Sequence, residues 1–353
     1  MLLFLSLPAA WHAMSPPSSR FSLASARMSA ESTLIIQNKG GGHGEIGYHL
    51  ALQLAAQGHD VTILHEGPNK GKPPHSSYAD LSAAGVRLHW RDSLEDAEAA
   101  IAQLGDAAYG AVVDNWSKSP EQISPYARLA QQRGAKSYAY VSSAGMYAPP
   151  SDAIIGETCD CKPTAQRQAE LLLDEMGLPF TYFRPQYIYG PKQGKSYLAY
   201  FFDRITRGRP VLVPNGGDQL VTMTHAADNA AMIAAAIGNP KAVGEAFNCA
   251  TSSLCTYDQL VQSCAAAAGK EAQIVHYNPK DFDSGISKKL GFPFRDTAFY
   301  VSVEKATNLL GFQPKHNILE DLAWYYADNY VAKGAEGKEL DFSVDDLVLK
   351  GTA

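Results

Sequence analysis

Residues that could do chemistry gather first in a glycine-rich turn near the start of the folded chain. Gly41, Gly44 and Gly47 recur at intervals of three, between the apolar run TLIIQN and a segment with apolar residues at helical spacing. A strand, a glycine turn and a helix in this order place backbone N–H groups at a helix N-terminus, where their partial positive charge suits a pyrophosphate. The pattern predicts a dinucleotide site, although His43 inside the turn leaves less room for a phosphate.

The end of the second strand candidate, VTILHEG, should carry the group that binds the adenosine ribose of such a cofactor. An acidic residue is usual there for NAD, and His65 stands in its place. Glu66, one residue later, could substitute for it, whereas Lys70 and Lys72 could instead bind a 2′-phosphate. Asp92, which lies shortly after the third strand candidate, GVRLHW, is a further residue that we expect to contact a cofactor. The sequence leaves open whether NAD(P) is bound.

These residues need a scaffold that brings strand ends together. Strand and helix candidates alternate up to residue 190, which predicts an α/β fold with a doubly wound parallel sheet of the Rossmann type. Beyond residue 190 the pattern is irregular and mixed, which indicates a smaller C-terminal lobe. We expect four segments, namely a leader (1–29), a nucleotide-binding domain (30–190 with about 222–255), a smaller lobe (191–221 with 256–333) and a peripheral acidic tail (334–353).

The leader differs in composition from the rest of the chain. It is rich in serine, contains two arginines and has no acidic residue, which is typical of an organelle transit peptide. Its apolar start, MLLFLSLPAA, leaves a secretory signal or a disordered tail as alternatives. No apolar run reaches the length of about 18 residues that predicts a membrane span.

The overall charge argues against binding to nucleic acid through a net positive charge. Without the leader, 28 basic residues face 36 acidic residues, which gives a net charge of −8. Proteins that bind nucleic acid through their overall charge are basic. Any contact with RNA would therefore have to use a local basic patch.

Later motifs resemble the extended short-chain dehydrogenase/reductase superfamily, in its epimerase and dehydratase branch. The segments that carry the likeness are VSSAGMY (141–147), RPQYIYGP (184–191), THAADNA (224–230) and LLGFQP (309–314). The resemblance implies that Ser143 stands at the catalytic serine, and that the catalytic Tyr and Lys would fall on Lys162 and Gln166. No tyrosine occurs between Tyr147 and Tyr182, so the pair that would move the proton is absent. We therefore interpret Ser143, Lys162 and Gln166 as vestigial positions.

Segments spread from about Thr33 to Leu349 resemble a narrower family, the chloroplast stem-loop-binding proteins. They include SSAGMY, FRPQY, FFDRI, FNCAT, FPFRD and KELDFSVDDLVL. The resemblance implies an RNA-binding protein of the plastid stroma that recognises stem-loop RNA. It also implies association with ribosomes or transcription complexes, as a homo- or hetero-oligomer, and for some members an endonuclease activity that needs a divalent metal such as Mg²⁺.

Two alternatives keep a nicotinamide cofactor. One is a nucleotide-sugar epimerase or reductase that uses NAD(P), with Lys162 in place of the tyrosine. The other is a sensor that binds NADP(H) without chemistry. The glycine turn favours both, and the missing Tyr/Lys pair argues against the first.

Three basic stretches could contact RNA. In the first, YLAYFFDRITRGRP, four aromatic residues precede Arg204, Arg207 and Arg209. Arginines can bind phosphates and exposed aromatic rings can stack on unpaired bases, but the pattern also fits an amphipathic helix with buried aromatics and surface arginines. The other two stretches are KQGK, with Lys192 and Lys195, and SKKLGFPFR at residues 287–295. If the three converge, they would form an RNA groove.

Carboxylates that could hold Mg²⁺ for a nuclease are scattered along the chain. The candidates are Asp92, Asp114, Asp218 and Asp228. Mg²⁺ is usually held by one or two carboxylates, but the spacing of these four matches no recognisable metal motif. The sequence therefore assigns no catalytic residue to RNA cleavage.

Overall fold

The computed structural model describes residues 31–38, 44–67, 78–149, 154–192 and 196–352. Its strands are β1 (Ser32–Gln37), β2 (Asp60–Glu66), β3 (Arg87–Arg91), β4 (Ala111–Asn115), β5 (Ser137–Val141), β6 (Phe180–Pro185), β7 (Ile188–Tyr189), β8 (Val211–Pro214), β9 (Leu220–Val221), β10 (Thr224–His225), β11 (Glu245–Cys249), β12 (Cys255–Thr256) and β13 (Ile274–Tyr277).

Helices follow most of these strands. They are α1 (Gly44–Ala56), α2 (Ala79–Ala83), α3 (Ala97–Ala102), α4 (Pro120–Gln132), α5 (Ala165–Met176), α6 (Ala199–Ile205), α7 (Ala226–Ala236), α8 (Tyr257–Ala267), α9 (Ser284–Leu290), α10 (Glu304–Leu310), α11 (Ile318–Trp324) and α12 (Ser343–Thr352). Short 3₁₀ turns cover Ala144–Met146 and Pro279–Asp281, and a π-helical segment, Tyr325–Val331, continues α11. None of the helices in these ranges combines the length and the apolar character that a membrane crossing requires.

Seven strands form one parallel sheet in the order β3-β2-β1-β4-β5-β6-β11. Parallel neighbours need crossover connections, and the helices between the strands supply them. The winding reverses between β1 and β4, where Gln37 lies in register with Asn115 at the carboxyl ends. Ligands of open α/β sheets bind in the crevice at such a reversal. The predicted Rossmann-type sheet is confirmed.

Apolar residues cover both faces of this sheet. Leu34, Ile35 and Ile36 of β1 are fully buried, because a central parallel strand is covered on both sides. Ile35 packs in the cluster that α1 and α7 cover, whereas Leu34 and Ile36 belong to the cluster on the opposite face. The opposite cluster includes Ile123 of α4 and Leu173 of α5. Helices on both faces give the three-layer arrangement that positions the strand ends.

Outside the seven-stranded sheet, the described residues form three two-stranded sheets and an aromatic core, which we call the smaller lobe. β7 and β10 are grouped with it here, although we expected residues 30–190 and 222–255 to belong to the nucleotide-binding domain. The strand pairs of the smaller lobe are β7 with β10, β8 with β13, and β9 with β12. Phe201, Phe202, Tyr257 and Tyr325 are fully buried in its core. The chain enters this lobe after β6, returns to the sheet with α7 and β11, and then leaves again for α8. β11 thereby covers the edge of β6.

The acidic tail packs as part of the smaller lobe and is not peripheral. Helix α12 contacts α9 and β13. Val348 is buried in an apolar cluster with Leu212, Tyr277 and Leu290. Asp345, one of the charges that suggested an exposed tail, is only 3% exposed. Apolar residues at helical spacing among the acidic ones explain this outcome.

Candidate functional site

The predicted glycine motif lies between β1 and α1 in the sequence and extends into α1, and packing requires its last glycine. Gly41 lies outside the described residues, Gly44 begins α1, and Gly47 lies in the first turn of that helix. A Cβ on Gly47 would fall 1.4 Å from Oε1 of Gln37, a buried side chain whose amide donates to the Tyr78 hydroxyl over 2.6 Å. Gly47 therefore lets α1 approach β1 closely, as the last glycine of a dinucleotide turn does.

The carboxyl ends of β2 and β3 bring two predicted cofactor residues to one edge. Glu66 is half-buried, and its Oε1 accepts a hydrogen bond from the Leu94 amide over 3.2 Å. Asp92 is exposed in the turn that this bond holds. His65 is fully buried, with its ring 4.4 Å from that of Trp90. His43, Lys70 and Lys72 lie outside the described residues.

The fold and Glu66 retain features that suit a dinucleotide. The order of β1, glycine-rich segment and α1 in the chain suits a pyrophosphate. The Oε2 atom of Glu66 has no hydrogen bond within the described ranges, so it could accept one from a ribose. Whether these residues contact a cofactor stays a prediction. The groups that would use a nicotinamide lie further along the sheet.

The predicted catalytic positions retain a serine hydroxyl without an acid or a base. Ser143 follows β5, and its Oγ accepts from the Gly145 amide over 3.0 Å. Lys162 is exposed and precedes α5, which Thr164 caps, and Gln166 lies in the first turn of α5. Among the described contacts, no hydrogen bond joins Ser143 to Lys162 or Gln166. Among the described residues, neither Lys162 nor Gln166 is therefore a hydrogen-bonded partner of Ser143 for proton transfer.

A buried polar network lies beside these positions, and the sequence did not predict it. Arg184 donates to both carboxylate oxygens of Glu170, over 3.0 and 2.7 Å, and to the Tyr147 hydroxyl over 2.9 Å. Tyr147 in turn donates to Oδ1 of Asn248 over 2.7 Å. Burial raises the pKa of the Tyr147 phenol, although Arg184 opposes the change. A raised pKa makes Tyr147 poorly suited to act as a base near neutral pH.

A cavity of about 200 Å³ opens next to Ser143, and residues of both lobes line it. Ser143 and Gly145 contribute from the turn after β5, Tyr187 from the link between β6 and β7, and Tyr197 and Arg295 from the smaller lobe. Burial raises the pKa of Tyr187 to about 12 and also raises that of Tyr197. Neither phenol is suited to take a proton near neutral pH.

The arginines predicted to contact RNA have partners in the C-terminal tail. Arg204 is 6% exposed and forms two hydrogen bonds with the Asp345 carboxylate, over 2.7 and 2.9 Å. Arg209 pairs with Asp346. Arg207 donates to the backbone carbonyls of Ala335, Glu336 and Lys338. These contacts give the three arginines a structural role, and a contact with RNA stays a prediction that would have to compete with them.

The other basic residues lie on different elements. The Lys192 ammonium is 4.6 Å from the centroid of the Tyr48 ring in α1 and 4.0 Å from the Asp80 carboxylate in α2. Lys288 and Lys289 are exposed in the last turn of α9. Lys195 lies outside the described residues. Arg295, from the same stretch as the two α9 lysines, is the basic residue that lines the cavity.

The carboxylates considered as Mg²⁺ ligands are engaged elsewhere or lie on the surface. The fully buried Asp114 carboxylate accepts hydrogen bonds from the amides of Trp116 and Ser117 and from the hydroxyls of Ser117 and Tyr138. Asp228 accepts from the amides of Lys315 and His316, and burial raises its pKa. Asp92 and Asp218 are exposed. In the part of the chain that the structure describes, no three His, Cys, Asp or Glu residues are grouped to hold a metal.

Known proteins share both the sequence pattern and the fold. The profile of the NAD dependent epimerase/dehydratase family matches residues 40–250. Over 91% of its length the chain is 35% identical to the chloroplast stem-loop binding protein of 41 kDa b from Arabidopsis thaliana, of which 85% is covered. The chain belongs to the chloroplast stem-loop-binding proteins of the epimerase/dehydratase family. The family predicted from the sequence is confirmed.

Solved structures with the same fold include sugar-nucleotide enzymes. UDP-glucose 4-epimerase from Thermotoga maritima, solved with UDP-glucose, has a TM-score of 0.65 at 20% identity, over 84% of this chain and 99% of that one. The dTDP-glucose 4,6-dehydratase of Bacillus anthracis, solved with NAD, has a TM-score of 0.67 at 14% identity, over 85% and 98% of the two chains. At these identities the likeness shows the fold alone.

Proposed function

We propose that this chain is a plastid protein that binds stem-loop RNA on an epimerase scaffold. The observation that carries the proposal is the 35% identity to the Arabidopsis stem-loop binding protein, which extends over 331 residues and therefore through both lobes. The name of that relative supplies the class of RNA and the compartment. The serine-rich leader is consistent with the same compartment.

The geometry around Ser143 supports a binding function over redox chemistry. General acid–base catalysis contributes a factor of about 10²–10⁴ to a rate, which is about 3–5 kcal/mol of the barrier. The residues at the Tyr and Lys positions are Lys162 and Gln166, and the phenols beside the cavity have raised pKa values. A scaffold without this contribution is better suited to holding a ligand than to transforming one.

Binding of an end-labelled RNA hairpin by the purified protein tests the proposal. Gel mobility at low salt is the sensitive condition, because phosphate contacts are strongest there. The matched control is a blunt duplex with the same stem and no loop. We expect the hairpin to shift at lower protein concentration than the duplex. An unshifted hairpin at low salt would overturn the proposal.

The same reactions, run with Mg²⁺ and with EDTA, test cleavage. Cuts that require Mg²⁺ and follow the protein through purification would add a nuclease activity. An intact but shifted hairpin would leave binding as the whole function. The carboxylate contacts described above favour the second result, because Asp114 and Asp228 already bind protein groups.

A second candidate function is binding of NAD(P) without redox chemistry, as a sensor would require. The close approach of Gly47 to Gln37 and the position of Glu66 favour it. Calorimetry with the oxidised and reduced forms of both cofactors measures it directly. Heat of binding without turnover of UDP-glucose is the expected result for a sensor. No heat with any of the four would exclude this candidate.

Location in the stroma and assembly with ribosomal or transcription complexes complete the proposal. Fractionation of isolated plastids should recover the protein in the soluble fraction. On a sucrose gradient it should sediment with large particles and, if RNA holds the assembly together, shift to smaller ones after RNase treatment. Sedimentation as a small species before the treatment would refute the assembly.

A further inference from the structure

We propose that the cavity beside Ser143 holds one unpaired base of a stem-loop RNA while Arg295 contacts the backbone phosphate. This inference rests on the proposed RNA-binding function and gives that function a location. Unpaired bases are recognised when they leave the stack and lie against aromatic rings or arginine planes. The cavity, at about 200 Å³, has room for a single base.

Aromatic rings from three segments meet at this cavity. The Tyr187 ring lies 5.5 Å from that of Tyr197 and 6.2 Å from that of Phe299, edge to face in both cases. Tyr197 also lies nearly parallel to Phe294, at 6.1 Å and 14°. The rings hold one another in place, so an entering base would meet preformed apolar surfaces. A base stacked on a protein ring gains about 1–3 kcal/mol, whatever its identity.

Arg295 supplies positive charge to the same cavity. Its guanidinium lies 3.5 Å from the centroid of the Phe299 ring and donates to the Gly145 carbonyl over 3.0 Å. Within the described ranges it forms no ion pair, whereas Arg204 and Arg209 are neutralised by carboxylates of the tail. Arg295 can therefore bind a phosphate without first losing an acidic partner.

The backbone of Tyr187 is strained at the point where the cavity needs its ring. Its φ of 36° is left-handed, which costs a non-glycine residue about 1–3 kcal/mol. Two contacts hold it, since the Thr224 amide donates to its carbonyl over 3.2 Å and the Arg295 amide donates to its hydroxyl over 3.3 Å. Such strain persists at ligand sites, where the surroundings enforce it. The second contact also links the ring to the arginine segment.

Ser143 provides the polar group that a base edge would meet. Its Oγ accepts from the Gly145 amide and donates to no acceptor among the described residues, so its own hydrogen can donate to a base acceptor. The Gln186 amide is not available, because it donates to the Phe299 carbonyl and accepts from the Val301 amide. The cavity thus combines stacking surfaces, hydroxyl groups and the Arg295 cation.

Hairpin binding by four variants tests this assignment. Tyr197→Ala removes a stacking ring, and we expect the dissociation constant for the hairpin to rise about 10-fold or more. Tyr197→Phe keeps the ring and should bind within about 2-fold of the original protein. Arg295→Ala should weaken binding by a similar factor and flatten its salt dependence. Arg128→Ala removes the same charge from the exposed surface of α4 and should have little effect.

Single abasic positions in the loop separate a direct contact from a structural one. One loop position should weaken binding to the original protein when its base is removed, and should make no further difference to Tyr197→Ala. A variant that is merely misfolded would lose affinity for every hairpin equally and would melt at a lower temperature. The blunt duplex should bind the original protein and Tyr197→Ala alike.

The outcomes distinguish this inference from the proposed function. Tight hairpin binding that Tyr197→Ala and Arg295→Ala leave unchanged would overturn the cavity and keep the RNA-binding function. Absence of hairpin binding by the original protein would overturn both. Displacement of the hairpin by a free mononucleotide at equal concentration would assign the cavity to free nucleotides and refute a loop-specific role.

Discussion

Replacing Asp345 by alanine should detach the C-terminal tail from the smaller lobe. Asp345 is 3% exposed and accepts two hydrogen bonds from Arg204, which is 6% exposed. Without the carboxylate, the Arg204 guanidinium keeps the carbonyls of Tyr200 and Leu290 as partners. It would then be a buried cation without a counter-charge, which is the costly case.

The size of the effect follows from burial. Removing one member of a buried ion pair costs about 3–5 kcal/mol, whereas an exposed pair contributes about 0–1 kcal/mol. Asp346, the next residue, is the matched control, because it pairs with Arg209 while its side chain is 54% exposed. We expect Asp345→Ala to lower the free energy of unfolding by about 3 kcal/mol and Asp346→Ala to lower it by less than about 1 kcal/mol.

Urea unfolding followed by circular dichroism measures both losses. Limited proteolysis with mass spectrometry shows whether the tail is the part that opens, since a detached α12 would be cut at lower urea concentration than the rest. Equal and small losses for the two variants would refute the argument that burial makes the Arg204 pair the anchor. A large loss for Asp346→Ala alone would reverse the assignment.

Further predictions concern the larger domain. Glu170→Gln leaves Arg167 and Arg184 without their carboxylate and should lower the free energy of unfolding in urea by about 3–5 kcal/mol. Glu175→Gln is the control, because Glu175 is exposed on the same helix, and it should change that free energy by less than about 0.5 kcal/mol. Burial lowers the pKa of His225 from 6.5 to about 3, so its stabilising contribution is complete above pH 6.5 and is lost as the pH falls towards 3. His225→Asn should keep the cap on α7 and reduce the fall in the free energy of unfolding between about pH 7.5 and about pH 5. An unchanged dependence of the free energy of unfolding on pH would contradict this. Gly47→Ala should lower the free energy of unfolding by about 1–3 kcal/mol, because the new methyl group would collide with the Gln37 side chain. If adding Gln37→Ala restores none of this free energy, the collision is excluded as the cause.

The sheet was predictable because the apolar residues that form each buried strand are adjacent in the sequence. A central parallel strand is buried on both faces, so TLIIQ is apolar whatever its neighbours are. The run FTYFRPQYIYG over 180–190 reads in the sequence as a single strand, but the structure divides it into β6 and β7. The division comes at Gln186 and Tyr187, where the Gln186 amide binds the Phe299 carbonyl and Tyr187 takes a left-handed φ. That partner lies 113 residues away and leaves no local pattern.

The features of the site that depend only on residue type were predictable from the sequence. The absence of a tyrosine before α5 is a property of the sequence, and the structure places only an exposed Lys162 there. The partners of Arg204 and Arg295 were not predictable, because Asp345 and Gly145 are 141 and 150 residues distant from them. An arginine that is neutralised by the tail and one that lines a cavity look alike in a sequence.

The position of β11 has a consequence for how the protein can be made. During synthesis β6 leaves the ribosome about sixty residues before the strand that covers its edge. In that interval its unpaired N–H and C=O groups can pair with another nascent chain. Fragments that end near residue 190 keep this open edge permanently, so we expect them to aggregate. We therefore expect the two lobes to fail as separately expressed modules, although each has its own core.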